Sequence, residues 1–253
     1  MPREKIILMG GPGTGKTTQI VNVARYVDPV PVYVIDLEDK MSAYLASLNE
    51  PMDNLHLYST FDWDRKKTDN DPEDFGGLRQ IIDDLEKQVS QNDWIMVDRA
   101  DNMWPMSQRW FTQGKYGRDL SDILMASSKS LKGKSSMFTP SMDQGEWQVI
   151  NESYETMFGR IFYRTRCNVI VTTGIKDKDD SAIGEAYGSL DCAPRGQKEI
   201  GHQPNSAFQL MEKRAGSVFK WYISTGKDLP KRALMNKMEL DDFAIDYLSL
   251  YGV

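Results

Sequence analysis

The sequence predicts an α/β fold: a mainly parallel sheet flanked by helices and finished by an antiparallel hairpin. Three observations carry this. Short apolar runs recur along the chain, stretches with helical spacing lie between them, and beyond residue 205 two long segments flank a polar turn. Apolar runs without alternation belong to strands buried on both faces, the condition of a parallel sheet covered by helices. At 253 residues, 40% of them hydrophobic, the chain can bury one sizeable core. A single domain over residues 1–253 is expected, with polar insertions at about 103–146 and 174–204.

The first run, Ile6 to Met9, leads into "MGGPGTGKTT" and a helical stretch from Thr17 to Tyr26. The second, Val30 to Ile35, ends in Asp36-Leu37-Glu38. Leu55 to Tyr58 forms a third strand. Next comes a helix that opens on Asp71-Pro72-Glu73-Asp74, acids that suit a helix N-terminus, and carries Leu78, Ile81, Ile82, Leu85 and Val89 on one face. Trp94 to Val97 runs into Asp98, and Val169 to Val171 into Thr172 and Thr173. "SAFQLMEKRAGSVFKWYIST" reads as two strands around a turn at Lys213-Arg214-Ala215-Gly216. A last helix aligns Leu240, Phe243, Ala244, Tyr247, Leu248 and Tyr251.

Composition narrows the function classes. A net charge of -6 and a pI near 5.1 exclude a protein that coats nucleic acid through bulk charge, so any such site is local. Cys167 and Cys192 are too few for a disulfide framework and match no zinc spacing. No signal-peptide succession opens the sequence, and no stretch nears the roughly 18 uninterrupted apolar residues of a membrane span. A cytoplasmic protein without membrane partners is expected.

Gly10, Gly15, Lys16 and Thr17 meet the pattern Gly-x4-Gly-Lys-Thr between a strand and a helix. Gly10, Gly11, Pro12, Gly13, Thr14, Gly15, Lys16, Thr17 and Thr18 would wrap a nucleotide's phosphates. Glycines let successive N–H groups converge on the β-phosphate, and the helix N-terminus adds positive potential. Lys16 would bridge the β- and γ-phosphates, and the Thr17 hydroxyl would ligate Mg²⁺. A dinucleotide fingerprint is disfavoured, because Lys16 stands where its third small residue belongs. ATP and Mg²⁺ are therefore the expected ligands, with Asp98 at the end of its strand holding a metal-bound water. Many ATPases place a Glu directly after this Asp, but here the position is Arg99. The carboxylate that orients the attacking water must come from elsewhere. Glu38 is the candidate, with Asp101 as the alternative.

These residues together resemble the RecA-type ATPase core, and the overall layout looks like the small RecA-like P-loop ATPases encoded by bacteriophages. That core carries its catalytic Glu in an Asp-x-Glu pattern at the end of the second strand, matched by Asp36-Leu37-Glu38. A polar residue at the tip of a later strand senses the γ-phosphate, for which "NVIVTTG" offers Thr172 and Thr173, with Thr173 the expected sensor. Basic residues after the terminal strands reach a neighbouring subunit's nucleotide, which points to Lys227, Lys231 and Arg232 in "YISTGKDLPKRAL". The resemblance implies a homo-oligomer, as a ring or short filament, that acts on DNA in phage recombination or replication, beside an annealing or replication protein.

A loop behind the Asp98 strand contacts DNA in such cores. Residues 103–138 there hold six Lys or Arg (Arg109, Lys115, Arg118, Lys129, Lys132, Lys134) against two Asp. Trp104, Trp110, Phe111, Tyr116 and Phe138 are interleaved with them, a mixture that suits single strands better than duplex. Residues 174–204 hold four basic against six acidic residues and do not attract DNA. A ring translocase, packaging or helicase-type motor would share this core. A small-molecule kinase and a regulatory nucleotide-binding subunit are the remaining alternatives.

Overall fold

The computed structural model describes residues 3–59, 73–117, 143–177, 190, 192–197, 200–215, 218–228 and 235–249. In chain order the first half runs β1 (Lys5–Gly10), α1 (Lys16–Val27), β2 (Val32–Asp36), α2 (Met41–Leu48), β3 (Leu55–Ser59), α3 (Glu73–Gln88), β4 (Trp94–Asp98) and α4 (Met103–Tyr116). The second half runs α5 (Gln144–Gly159), β5 (Asn168–Thr173), β6 (Ile175–Asp177), β7 (Cys192–Pro194), β8 (Ser206–Ala215), β9 (Val218–Asp228) and β10 (Met238–Glu239).

Eight strands form one sheet in the order β10-β9-β8-β1-β5-β4-β2-β3. The six from β8 to β3 pair in parallel, and β9 and β10 add antiparallel pairings at one end. All five runs read as strands are strands. Side chains alternate between two buried layers. Ile7, Ile95, Val97, Val169 and Val171 face α3, α4 and α5, while Ile6, Leu8, Met96 and Ile170 face α1 and the C-terminal segment. Each fully buried aliphatic side chain is worth about 1.5–3 kcal/mol of transfer free energy.

Three expectations need revision. Lys213, Arg214 and Ala215, expected in a turn at 213–216, stay in β8 and pair with Lys220, Phe219 and Val218, while Gly216 lies outside the described residues. The last apolar stripe is buried from Leu240 to Leu248, but its helical part is only a short π-helical turn, Ala244–Leu248. Tyr251 lies outside the described residues. The stretch at 103–146 is not a loop at its ends, since α4 takes its first fourteen residues and α5 begins at Gln144. An Asp143–Glu146 capping box starts α5, so polar residues that looked like loop composition are helix-start chemistry.

Candidate nucleotide site

Parallel pairing brings the carboxyl ends of β1, β5, β4 and β2 side by side. Met9 lies level with Thr173, Val97 with Val171, and Asp98 with Asp36. Such an edge is where open α/β sheets bind ligands.

The chain turns sharply after β1. Gly13 and Gly15 have φ of +77° and +81°, which favours glycine, and a Cβ on Gly10 would come within 2.8 Å of the Leu210 carbonyl as well as striking Thr14. The Lys16 ammonium donates to the carbonyls of Gly10 (2.9 Å) and Gly11 (2.7 Å). Burial and the nearby Arg99 charge push the Lys16 amine below its usual range, so an anion beside it would restore the charged form. The hairpin supports this loop from outside: the Trp221 indole N–H donates to the Gly13 carbonyl at 3.2 Å.

Asp98 is buried and takes one donor on each oxygen, Thr17 at 2.8 Å and Thr172 at 2.5 Å. Burial pushes its carboxyl above the ordinary range, against the pull of those two hydroxyls. A buried acid and a buried ammonium on one edge suit a metal–phosphate ligand. Thr17 and Asp98 together fit Mg²⁺, which takes few protein oxygens and fills its octahedron with water and phosphate. No group of three or more His, Cys, Asp or Glu is placed to hold a metal among the described residues.

Asp36 is spent on structure. Its carboxylate accepts from the backbone N–H of Glu38 (2.9 Å), Asp39 (3.0 Å) and Met41 (2.7 Å), which starts α2 and fixes the direction of Glu38. Glu38 is ion-paired to Arg99 and also to Lys40 at 3.1 Å. Arg99 grips Asp101 as well, with Nε to Oδ1 at 2.9 Å and Nη2 to Oδ2 at 3.0 Å. Both carboxylates weighed as the water-orienting base therefore meet on one guanidinium.

Thr172 and Thr173 differ. The Thr172 hydroxyl donates to Asp98 and accepts the Arg99 N–H at 2.9 Å. Thr173 lies on the opposite face of β5, with Val169 and Val171, and its buried hydroxyl has no hydrogen-bond partner among the described residues. Lys227 is remote from its own chain's phosphate loop. It pairs with Ala207, next to the Ser206 that sits level with Ile6, whereas Leu210 sits level with Gly10, a separation of about 10–13 Å along the strands. Arg232, Lys231, Arg118, Lys129, Lys132, Lys134 and Phe138 lie outside the described residues.

The two described members of the basic stretch sit on α4. Lys115 is paired with Glu146, which also accepts from Tyr116. The aromatics read as stacking platforms are partly spent on packing. Trp104 stacks on Trp147 (6.3 Å) and meets the Tyr154 ring edge-on (5.6 Å), and Arg79 lies 4.9 Å over Trp110. Spacing could not distinguish these uses, nor could it show that Arg99 joins the two carboxylates.

Residues 3–131, slightly more than half of the chain, match the family described as Schlafen group 3, DNA/RNA helicase domain. The chain belongs to that family. The matched span holds the phosphate loop, Glu38, Asp98 and Arg99. No curated protein is similar enough in sequence to match. Among solved structures, a KaiC-like protein of the hyperthermophilic archaeon Pyrococcus horikoshii OT3 superposes with a TM-score of 0.53 at 14% identity, covering 95% of this chain and 87% of that one. That likeness shows the fold, a RecA-like P-loop core. No described helix is long and apolar enough to cross a membrane.

Proposed function

We propose that this protein is a Mg²⁺-dependent ATPase that acts on nucleic acid. The observation that carries the reading is the joining of Lys16, Thr17, Asp98 and Glu38 at one sheet edge. Lys16 and the backbone N–H groups of the loop hold the phosphates, and Thr17 and Asp98 hold the metal and its water. Bound Mg²⁺ supplies charge neutralisation on the β- and γ-phosphate oxygens. Glu38 orients a water whose oxygen bonds to the γ-phosphorus as the bond to the β,γ-bridging oxygen breaks, and it takes the water's proton. Products are ADP and phosphate. Thr172, rather than the expected Thr173, takes the sensing role, because its hydroxyl is the one that reaches Asp98.

Membership of a family described by a DNA/RNA helicase domain supports nucleic acid as the substrate class and favours a second, narrower reading as a helicase-type motor. Resemblance to phage RecA-like proteins supports the role in recombination or replication, with single strands favoured and a homo-oligomer as the working form.

Steady-state ATP hydrolysis by wild type and Lys16→Ala, without DNA, with single strands and with duplex at one fixed salt, tests this. Lys16→Ala should lose about 10²–10³-fold in turnover, the scale for removing a donor to developing charge. Wild type should be stimulated most by single strands. Stimulation by duplex with strand separation selects the motor, and no stimulation at low salt defeats the nucleic-acid reading.

A further inference from the structure

Arg99 stands where a catalytic Glu often follows the metal-site Asp, and three features together fix its side chain. Its backbone lies in the left-handed region, φ 63° and ψ 53°, a conformation that costs a non-glycine residue about 1–3 kcal/mol and gathers at functional sites. Its N–H is fixed on Thr172, which also holds Asp98. Its guanidinium is anchored through Nε and Nη2 on Asp101, whose side chain is only 2% exposed. The remaining nitrogen, Nη1, reaches Glu38, and both of those side chains are about one-fifth exposed. The fork thus has two arms on a buried acid and one on an acceptor that water and ligand can reach.

The same guanidinium belongs to the electrostatic surroundings of Lys16, whose partners are to be the β- and γ-phosphates. A terminal phosphate oxygen carries more charge than a carboxylate oxygen and suits an Arg fork at least as well.

We infer that Arg99 is a γ-phosphate-responsive positioning residue: anchored on Asp101, it passes its Nη1 hydrogen bond from Glu38 to the terminal phosphate and so releases Glu38 toward the attacking water. The inference rests on the ATPase reading above and adds a cation supplied within the same chain. Only hydrogen bonds exchange in this step, and no covalent bond changes. The diphosphate has no terminal γ-oxygen to compete, so Arg99 separates triphosphate from diphosphate.

Binding, not turnover, tests it. The Kd values of a non-hydrolysable ATP analogue and of ADP, both with Mg²⁺, are measured calorimetrically for wild type, Arg99→Ala, Glu38→Gln and the double variant. Arg99→Ala should weaken the analogue about tenfold and leave ADP within about twofold, one charge-assisted hydrogen bond's worth of discrimination. Glu38→Gln removes the competing charge, so it should tighten the analogue severalfold where Arg99 is present and have no effect where it is absent. An Arg99→Ala protein that keeps its circular dichroism and melting temperature yet weakens both nucleotides equally, or neither, overturns the inference. If Arg99→Ala does not fold, analogue affinity unchanged by Glu38→Gln overturns it instead. Wild type that binds neither nucleotide defeats the ATPase reading itself, and the inference falls with it.

Discussion

At the scale of single residues, the strand-end pair Thr172 and Thr173 shows how one position decides a role. Successive side chains of a strand face opposite sides, so Thr172 shares its face with Asp98 and Thr173 does not. Thr172→Val keeps the shape but leaves a buried Asp98 oxygen without its donor. It should cost about 1–3 kcal/mol, read as a lower urea midpoint with an unchanged slope. Thr173→Val removes a buried hydroxyl that has no partner among the described residues and should be neutral or stabilising by up to about 1 kcal/mol. Equal losses in the two variants would count against this assignment. The sequence pointed to Thr173 rather than Thr172, because a run of apolar residues buried on both faces does not say which face its last residue takes. The phosphate loop was legible because its chemistry lies in consecutive residues. Asp98 stands out in the sequence as an acid that ends an apolar run, and the structure places its carboxylate on the Thr17 and Thr172 hydroxyls. From sequence Arg99 shows only as a missing Glu, since neither its left-handed backbone nor its reach to Glu38 and Asp101 is written in local spacing.

Among the elements, α4 and α5 were the hardest to see, because Gly, Ser and charged residues at 103–146 look like loop composition. What joins their described parts is Glu146, the third residue of the α5 capping box and the partner of Lys115 and Tyr116 near the end of α4. Those two donors hold its carboxyl well below the usual range, at about 2 rather than 4.5. A depressed folded-state value means the unfolded chain takes up this proton first. The contribution is therefore present above about pH 4.5 and is lost as pH falls toward about 2. Thermal melts of Glu146→Gln should fall less steeply across that window than those of wild type, while the two curves run parallel above pH 5. An unchanged slope in the variant would mean that the Lys115 and Tyr116 contacts do not persist in solution. The hairpin teaches a related lesson. Lys213 to Ala215 look like a turn by composition, but cross-strand pairing with Lys220 to Val218 keeps them extended.

For the whole molecule, the sheet order fixes which groups can meet within one chain. Lys16, Glu38, Asp98, Arg99 and Thr172 share one edge, whereas Lys227 sits toward the far end of β9, next to the buried Asp228 that accepts from Ser206 and Tyr247. Lys227 cannot serve its own chain's phosphates from there, and burial pushes its amine below the usual range. If it acts on nucleotide at all, it acts on a neighbour's, and turnover must then depend on protein concentration. ATPase activity per chain should fall on dilution by roughly 10³-fold, the lower end of what a cation supplied in trans contributes, and Lys227→Ala should flatten the dependence to the diluted level. Arg99, held in the same chain, would leave the triphosphate–diphosphate affinity ratio unaltered across the same dilution. Turnover per chain that stays constant down to monomers removes Lys227 from the site and leaves Arg99 as the cation the fold itself provides.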